Sequence, residues 1–104
     1  MGTTSVLLAN EPRAYRDTFA VALRVLRPQA TVTVTDPETL DEAILQHAPQ
    51  VVVCSHLTRV VETQVPTWAV LYPNGATGAV LQIGGQQKTV SEIDLEGIIA
   101  LLTD

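Results

Sequence analysis

Gln50-Val51-Val52-Val53-Cys54-Ser55-His56 is the stretch on which the fold of this chain turns. It is a short run of apolar, mostly β-branched residues, entered from Pro49 and left through polar Ser55 and His56. Such a run predicts a central parallel strand covered by helices on both faces, because a half-exposed strand would alternate. In open α/β sheets ligands and chemistry collect just past the carboxyl ends of such strands. Here that tip is Ser55-His56.

Upstream, Ser5-Val6-Leu7-Leu8-Ala9 predicts a first strand, also buried on both faces, ending at Asn10-Glu11-Pro12. Pro12 suits the first turn of a helix that runs to about Arg27 and is stopped by Pro28. At about 100° per residue, Arg13, Arg16, Arg24 and Arg27 fall on one stripe roughly 80° wide. Tyr15, Ala22, Val25 and Leu26 fall opposite and predict the buried side, flanked by Phe19 and Leu23. Thr31-Val32-Thr33-Val34-Thr35 alternates strictly, as an edge strand does. Asp36-Pro37 reads as an N-cap and N1 proline for a second helix. Its core face would be Leu40, Ala43, Ile44, His47 and Ala48, and Pro49 closes it.

Downstream, Leu57 to Val65 reads either as loop or as a short third helix ending before Pro66. Thr67 to Tyr72 and Ala79 to Ile83 predict two strands. Six turn-rich residues separate them, too few for a parallel crossover, so they should pair antiparallel. Gly84-Gly85 signals a tight turn into a sixth strand, Gln86 to Val90. Ser91 with Asp94 resembles a capping box, and the last helix would bury Leu95, Ile98, Ile99 and Leu102. The expected fold is one α/β domain over residues 1–104, a three-layer sandwich with a C-terminal antiparallel meander.

Composition narrows the function classes. The 104 residues are 46% hydrophobic and 16% charged, which excludes a disordered chain. The net charge of −5 argues against nucleic-acid binding through a basic surface. Charge is uneven: Met1 to Arg27 has four arginines against two acids, a net of +2. Asp36 to Asp104 has nine acids against Arg59 and Lys88, a net of −7. One cysteine, Cys54, allows no internal disulfide and no cysteine metal cluster, and points to a reducing cytoplasm. No signal peptide or membrane span is expected, since the first apolar run is too short.

The order strand, Glu-Pro, helix, strand, helix, Pro-x-Val-Val-Val resembles the receiver domain of bacterial response regulators. Val6 to Glu11-Pro12 is similar to that family's opening strand and acid-acid-Glu-Pro turn. His47-Ala48-Pro49-Gln50-Val51-Val52-Val53 is similar to the approach to its phosphoacceptor. The likeness spans roughly residues 5 to 60, with a weaker echo at Gly75-Ala76-Thr77-Gly78-Ala79-Val80-Leu81. It implies a flavodoxin-like parallel sheet of strand order 2-1-3-4-5. The family's chemistry does not carry over. Its magnesium-binding acid pair falls on Ala9 and Asn10, and its phosphoacceptor on Ser55. Its strand-four hydroxyl falls on Leu71 or Tyr72, and its lysine on Gln82. Magnesium prefers several hard oxygen ligands, and Glu11 is the single acid left there. Phosphoryl transfer then lacks acceptor and charge compensation.

The expectation is a non-enzymatic regulatory or interaction module with no cofactor and no metal. Ala9, Asn10, Glu11, Ser55 and His56 would line a vestigial pocket. Arg13, Arg16, Arg24 and Arg27 would dock a protein partner, acidic in character, or simply form a solvated face. A homodimer through the free edge of the meander, with Trp68, Tyr72 and Val80 nearby, is a further expectation. The alternative is a small-ligand or anion sensor using Asn10, Ser55 and His56. Nucleophilic catalysis at Cys54 or Ser55 ranks last: neighbouring strand residues face opposite ways, and no strained Gly-x-Ser-x-Gly elbow is present. His47 reads as a helix-end residue rather than a ligand.

Overall fold

A computed structural model describes residues 4–71, 78–91 and 95–103. Its elements are β1 (Ser5–Ala9), α1 (Arg13–Leu26), β2 (Thr31–Val34), a 3-10 turn (Pro37–Thr39) and α2 (Leu40–His47), followed by β3 (Val51–Cys54) and α3 (Arg59–Gln64). The meander β4 (Thr67–Leu71), β5 (Ala79–Ile83) and β6 (Gln86–Val90) leads into α4 (Leu95–Thr103). The six strands form one mixed sheet in the order β2-β1-β3-β4-β5-β6. β1, β2, β3 and β4 pair in parallel, and β4-β5 and β5-β6 antiparallel. The short β4-β5 connection forces that change of direction.

Strand alternation sorts the core into two layers. Val6, Leu8, Val53, Ala69, Leu71 and Leu81 meet Phe19, Ala20 and Leu23 of α1 and Ile98 and Ile99 of α4. Leu7, Ala9, Val52, Cys54, Trp68 and Val70 meet Leu40 and Ile44 of α2 and Val61 of α3. Helices therefore cover both faces, and all four residues of β3 are buried, as its unbroken apolar run predicts. β2 is the edge strand its alternation predicts. The Gly84-Gly85 turn has φ of 59° and 81°, the two positive values a tight hairpin requires.

Local departures have physical causes. α1 is rotated from its expected phase. Its buried residues are Arg16, Phe19, Ala20 and Leu23, while Val25 is 72% and Val21 60% exposed and Leu26 is exposed too. Angular periodicity alone turns Val25 and Leu26 inward, whereas the large ring of Phe19 decides which side packs. Asp36 makes no cap hydrogen bond, because its carboxylate takes Arg16 instead. His47 and Ala48 are exposed, not on the core face of α2. The helix ends at His47, and Ala48 turns left-handed (φ 47°) with its N–H on the Ile44 carbonyl at 2.8 Å. The third helix does exist. Thr58 caps it, its Oγ1 accepting from the Val61 N–H at 3.2 Å and donating to Asp41 on α2 at 2.7 Å. Trp68 is buried, so it offers nothing to a partner at the meander edge. Tyr72, the loop over 73–77, Asp94 of the capping box and the Leu95 and Leu102 side chains lie outside the described residues.

Candidate functional site at the tips of β1 and β3

The β1-β3 register ends at Ala9 opposite Cys54, which brings Asn10-Glu11 alongside Ser55-His56. This is also the switch point of the sheet: β1 leads outward to β2 on one side and has β3 on the other. The Glu11 N–H donates to Ser55 Oγ at 2.7 Å. The Glu11 carboxylate stands 3.8 Å from His56 Nε2, both groups exposed. An exposed pair of this kind adds little stability. Ala9 and Asn10 are buried beneath. Asn10 is 0% exposed, and neither atom of its amide has a hydrogen-bond partner. So three of the five expected residues, Glu11, Ser55 and His56, bring polar groups to one spot, while Ala9 and Asn10 are buried.

Cys54 is a core residue. It is buried and free, with Sγ 3.7 Å from the Ala69 carbonyl. Burial pushes its thiol from the ordinary 9.0 up to about 12; the His56 backbone N–H works against this, and Asp41 adds to it. A thiol in that state is neither nucleophile nor metal ligand at neutral pH. Two outcomes follow. The native protein should react with a thiol reagent near pH 8 only on the timescale of unfolding. The sign of the pH effect comes from the raised value: above about pH 9 the unfolded chain releases this proton and the folded chain does not. Stability should therefore fall between pH 9 and 12, by up to roughly 1.4 kcal/mol per pH unit. Urea titrations of wild type and Cys54→Ala across that range check the slope, which the variant should lack.

The arginines do not form one solvated stripe. Arg13 and Arg24 are exposed, and Arg24 reaches the Val32 carbonyl at 3.3 Å. Arg27 is half-buried and turns to the Leu26 carbonyl at 3.0 Å. Arg16 is 3% exposed, correcting its place on a docking face. It donates to the Thr35 carbonyl at 2.9 Å and meets Asp36 at 3.3 Å, with its Nε unpaired. The stem packs at the core margin while the head ties α1 to the end of β2. Arg16→Ala should cost about 2–3 kcal/mol in urea denaturation, through two lost hydrogen bonds, to the Thr35 carbonyl and to Asp36, and lost packing. Arg16→Met keeps the stem and should recover part of that loss.

Beside Arg16 lies an open groove of about 320 Å³, between Arg13, Arg16 and Asp17 of α1 and Thr35, Asp36 and Thr39. Nothing in the sequence pattern announced it. Two guanidinium groups face two carboxylates there, so it presents no net field to an anion. Among the described residues no group of three or more His, Cys, Asp or Glu is placed to hold a metal ion. No described helix is long and apolar enough to cross a membrane.

What this arrangement defines is a class: an α/β three-layer domain with a polar, sparsely acidic cluster at the tips of its central strands. No protein-family model matches the chain, and comparison with curated proteins and with solved structures finds no match.

Proposed function

We propose that the chain is a receiver-like, phosphorylation-incompetent module of the cytoplasm that acts without catalysis, by docking a protein partner. One observation carries the reading. Ser55, at the phosphoacceptor position implied by the resemblance, already accepts the Glu11 N–H at 2.7 Å, and its neighbours Ala9 and Asn10 are buried and uncharged. A magnesium ion would find the exposed Glu11 carboxylate, and among the described residues no group of three or more acids or other metal-ligating side chains is placed to hold it. The strand order and the helices on both faces are compatible with that fold. Docking would fall to the exposed part of α1, with Arg13 and Arg24 favouring an acidic partner. Incubation with acetyl phosphate and Mg²⁺, read by intact mass, should give no phosphate adduct. An adduct that disappears in Ser55→Ala would refute the proposal.

A second reading, a small-ligand or anion sensor, is favoured by Asn10. An unsatisfied buried amide costs about 1–3 kcal/mol, which a ligand reaching it would relieve. It predicts a melting temperature that rises with a metabolite or anion in the wild type and not in Asn10→Leu. No such rise across a panel of common metabolites retires it.

A further inference from the structure

We propose that the outward face of α1 pairs antiparallel with the same face of a second copy of this chain. Ala14, Thr18, Val21 and Val25 fall on one strip of the helix, opposite Phe19, Ala20 and Leu23. All four are exposed, the valines by 60% and 72%. The Thr18 hydroxyl is turned back onto the Ala14 carbonyl at 3.0 Å, which leaves its methyl facing outward. An apolar strip on a charged helix is the pattern of a surface that another helix covers.

The occupant follows from charge. Asp17 and Arg24, seven residues apart, line the same edge of the strip, and both are exposed. A two-fold axis across the helix brings Asp17 of each copy to Arg24 of the other, giving two symmetric ion pairs. An axis one residue nearer the N-terminus sets Val21 against Thr18 and Val25 against Ala14 of the second copy. The apolar strip is symmetric about the point between Phe19 and Ala20, and the charges about the point between Ala20 and Val21. These centres differ by one residue, which puts Asp17 and Arg24 of the other copy ~3 Å out of line along the helix when the apolar strip is in register, within reach of an arginine. A parallel pair would leave Asp17 and Arg24 on opposite sides of the seam. Arg24 spends one nitrogen on Val32 and keeps further donors for this role. One helix pair buries less than the ~800 Å² per partner of a standard interface, so the dimer is weak and reversible.

Sedimentation equilibrium between ~10 and ~500 μM tests this, a range chosen for weak association. The wild-type mass should rise toward that of a dimer, while Val25→Asp and Asp17→Arg stay monomeric with unchanged circular dichroism. The double change Asp17→Arg with Arg24→Asp re-forms both ion pairs and should regain the dimer. A wild type that stays monomeric throughout overturns the proposal and leaves the face to a different partner, without touching the phosphorylation result above. A dimer that survives Val25→Asp overturns it in favour of the β6 edge. Failure of the double change to regain the dimer overturns the antiparallel register.

Discussion

Gly78→Ala is expected to cost about 3 kcal/mol or more, at the upper end of what single changes do without removing a core side chain. Ala79 pairs with Val90 where β5 meets β6, and this draws the Val90 carbonyl over the Gly78 Cα. A Cβ at Gly78 would stand 1.9 Å from the Val90 oxygen, and 2.9 Å from both the Val90 carbon and the Ser91 oxygen. Every one of these atoms is backbone, so no rotamer change relieves the contact. Either the end of the hairpin opens or β5 shifts, and β5 cannot shift freely because Ala79 and Leu81 are buried under α1 and α4. Gly84→Ala and Gly85→Ala are the controls. Both sit at positive φ with open space around the added carbon, so each should cost only about 1–2 kcal/mol through backbone strain. Urea midpoints of the three variants, at constant slope, decide the matter. A Gly78→Ala variant as stable as the Gly84→Ala variant would mean that the hairpin register is wrong.

Phe19→Ala should be comparably severe, about 3–5 kcal/mol. Phe19 is 0% exposed and fills the layer between α1, α4 and the sheet, with Tyr15 edge-to-face at 6.3 Å between ring centres. Truncation leaves a ring-sized void in a layer closed by the sheet on one side and helices on the other. For a domain whose whole stability is on the order of 5–15 kcal/mol, that is a large share. Val25→Ala on the same helix should lie within about 0.5 kcal/mol of wild type, because the side chain is mostly in solvent. The pair of variants measures the rotation of α1 directly. If Val25→Ala costs more than Phe19→Ala, the helix packs with the face that apolar periodicity alone would choose.

How much was legible in the residues depends on how many neighbours each one has to satisfy. β3 was legible in full, since Val51-Val52-Val53-Cys54 has no polar residue that water could claim. The β4-β5-β6 meander was legible from connection length and from Gly84-Gly85, which are local constraints. The phase of α1 was not. Outward Val25 and Leu26 raise the apparent hydrophobicity of the wrong side, and Arg16 looks solvated until its side chain is seen reaching Thr35 and Asp36. α3 has only six residues, too few for a periodic signal, and Pro66 marks only where it must end. At the site, the meeting of Glu11 with Ser55 and His56 followed from strand order. The isolation of the Asn10 amide did not, because a hydrogen bond that is missing leaves no trace in a sequence.

The reading we propose is that the tips of β1 and β3 serve neither phosphoryl chemistry nor small-molecule binding and that the domain acts through its protein-docking surface. The most direct test is an amide-shift NMR titration of labelled protein with Mg²⁺, acetyl phosphate and a pool of common nucleotides. The account predicts that the amide signals of Asn10, Glu11, Ser55 and His56 stay in place through every addition. Saturable shifts clustered on those four residues would contradict it and make the strand tips a working binding site.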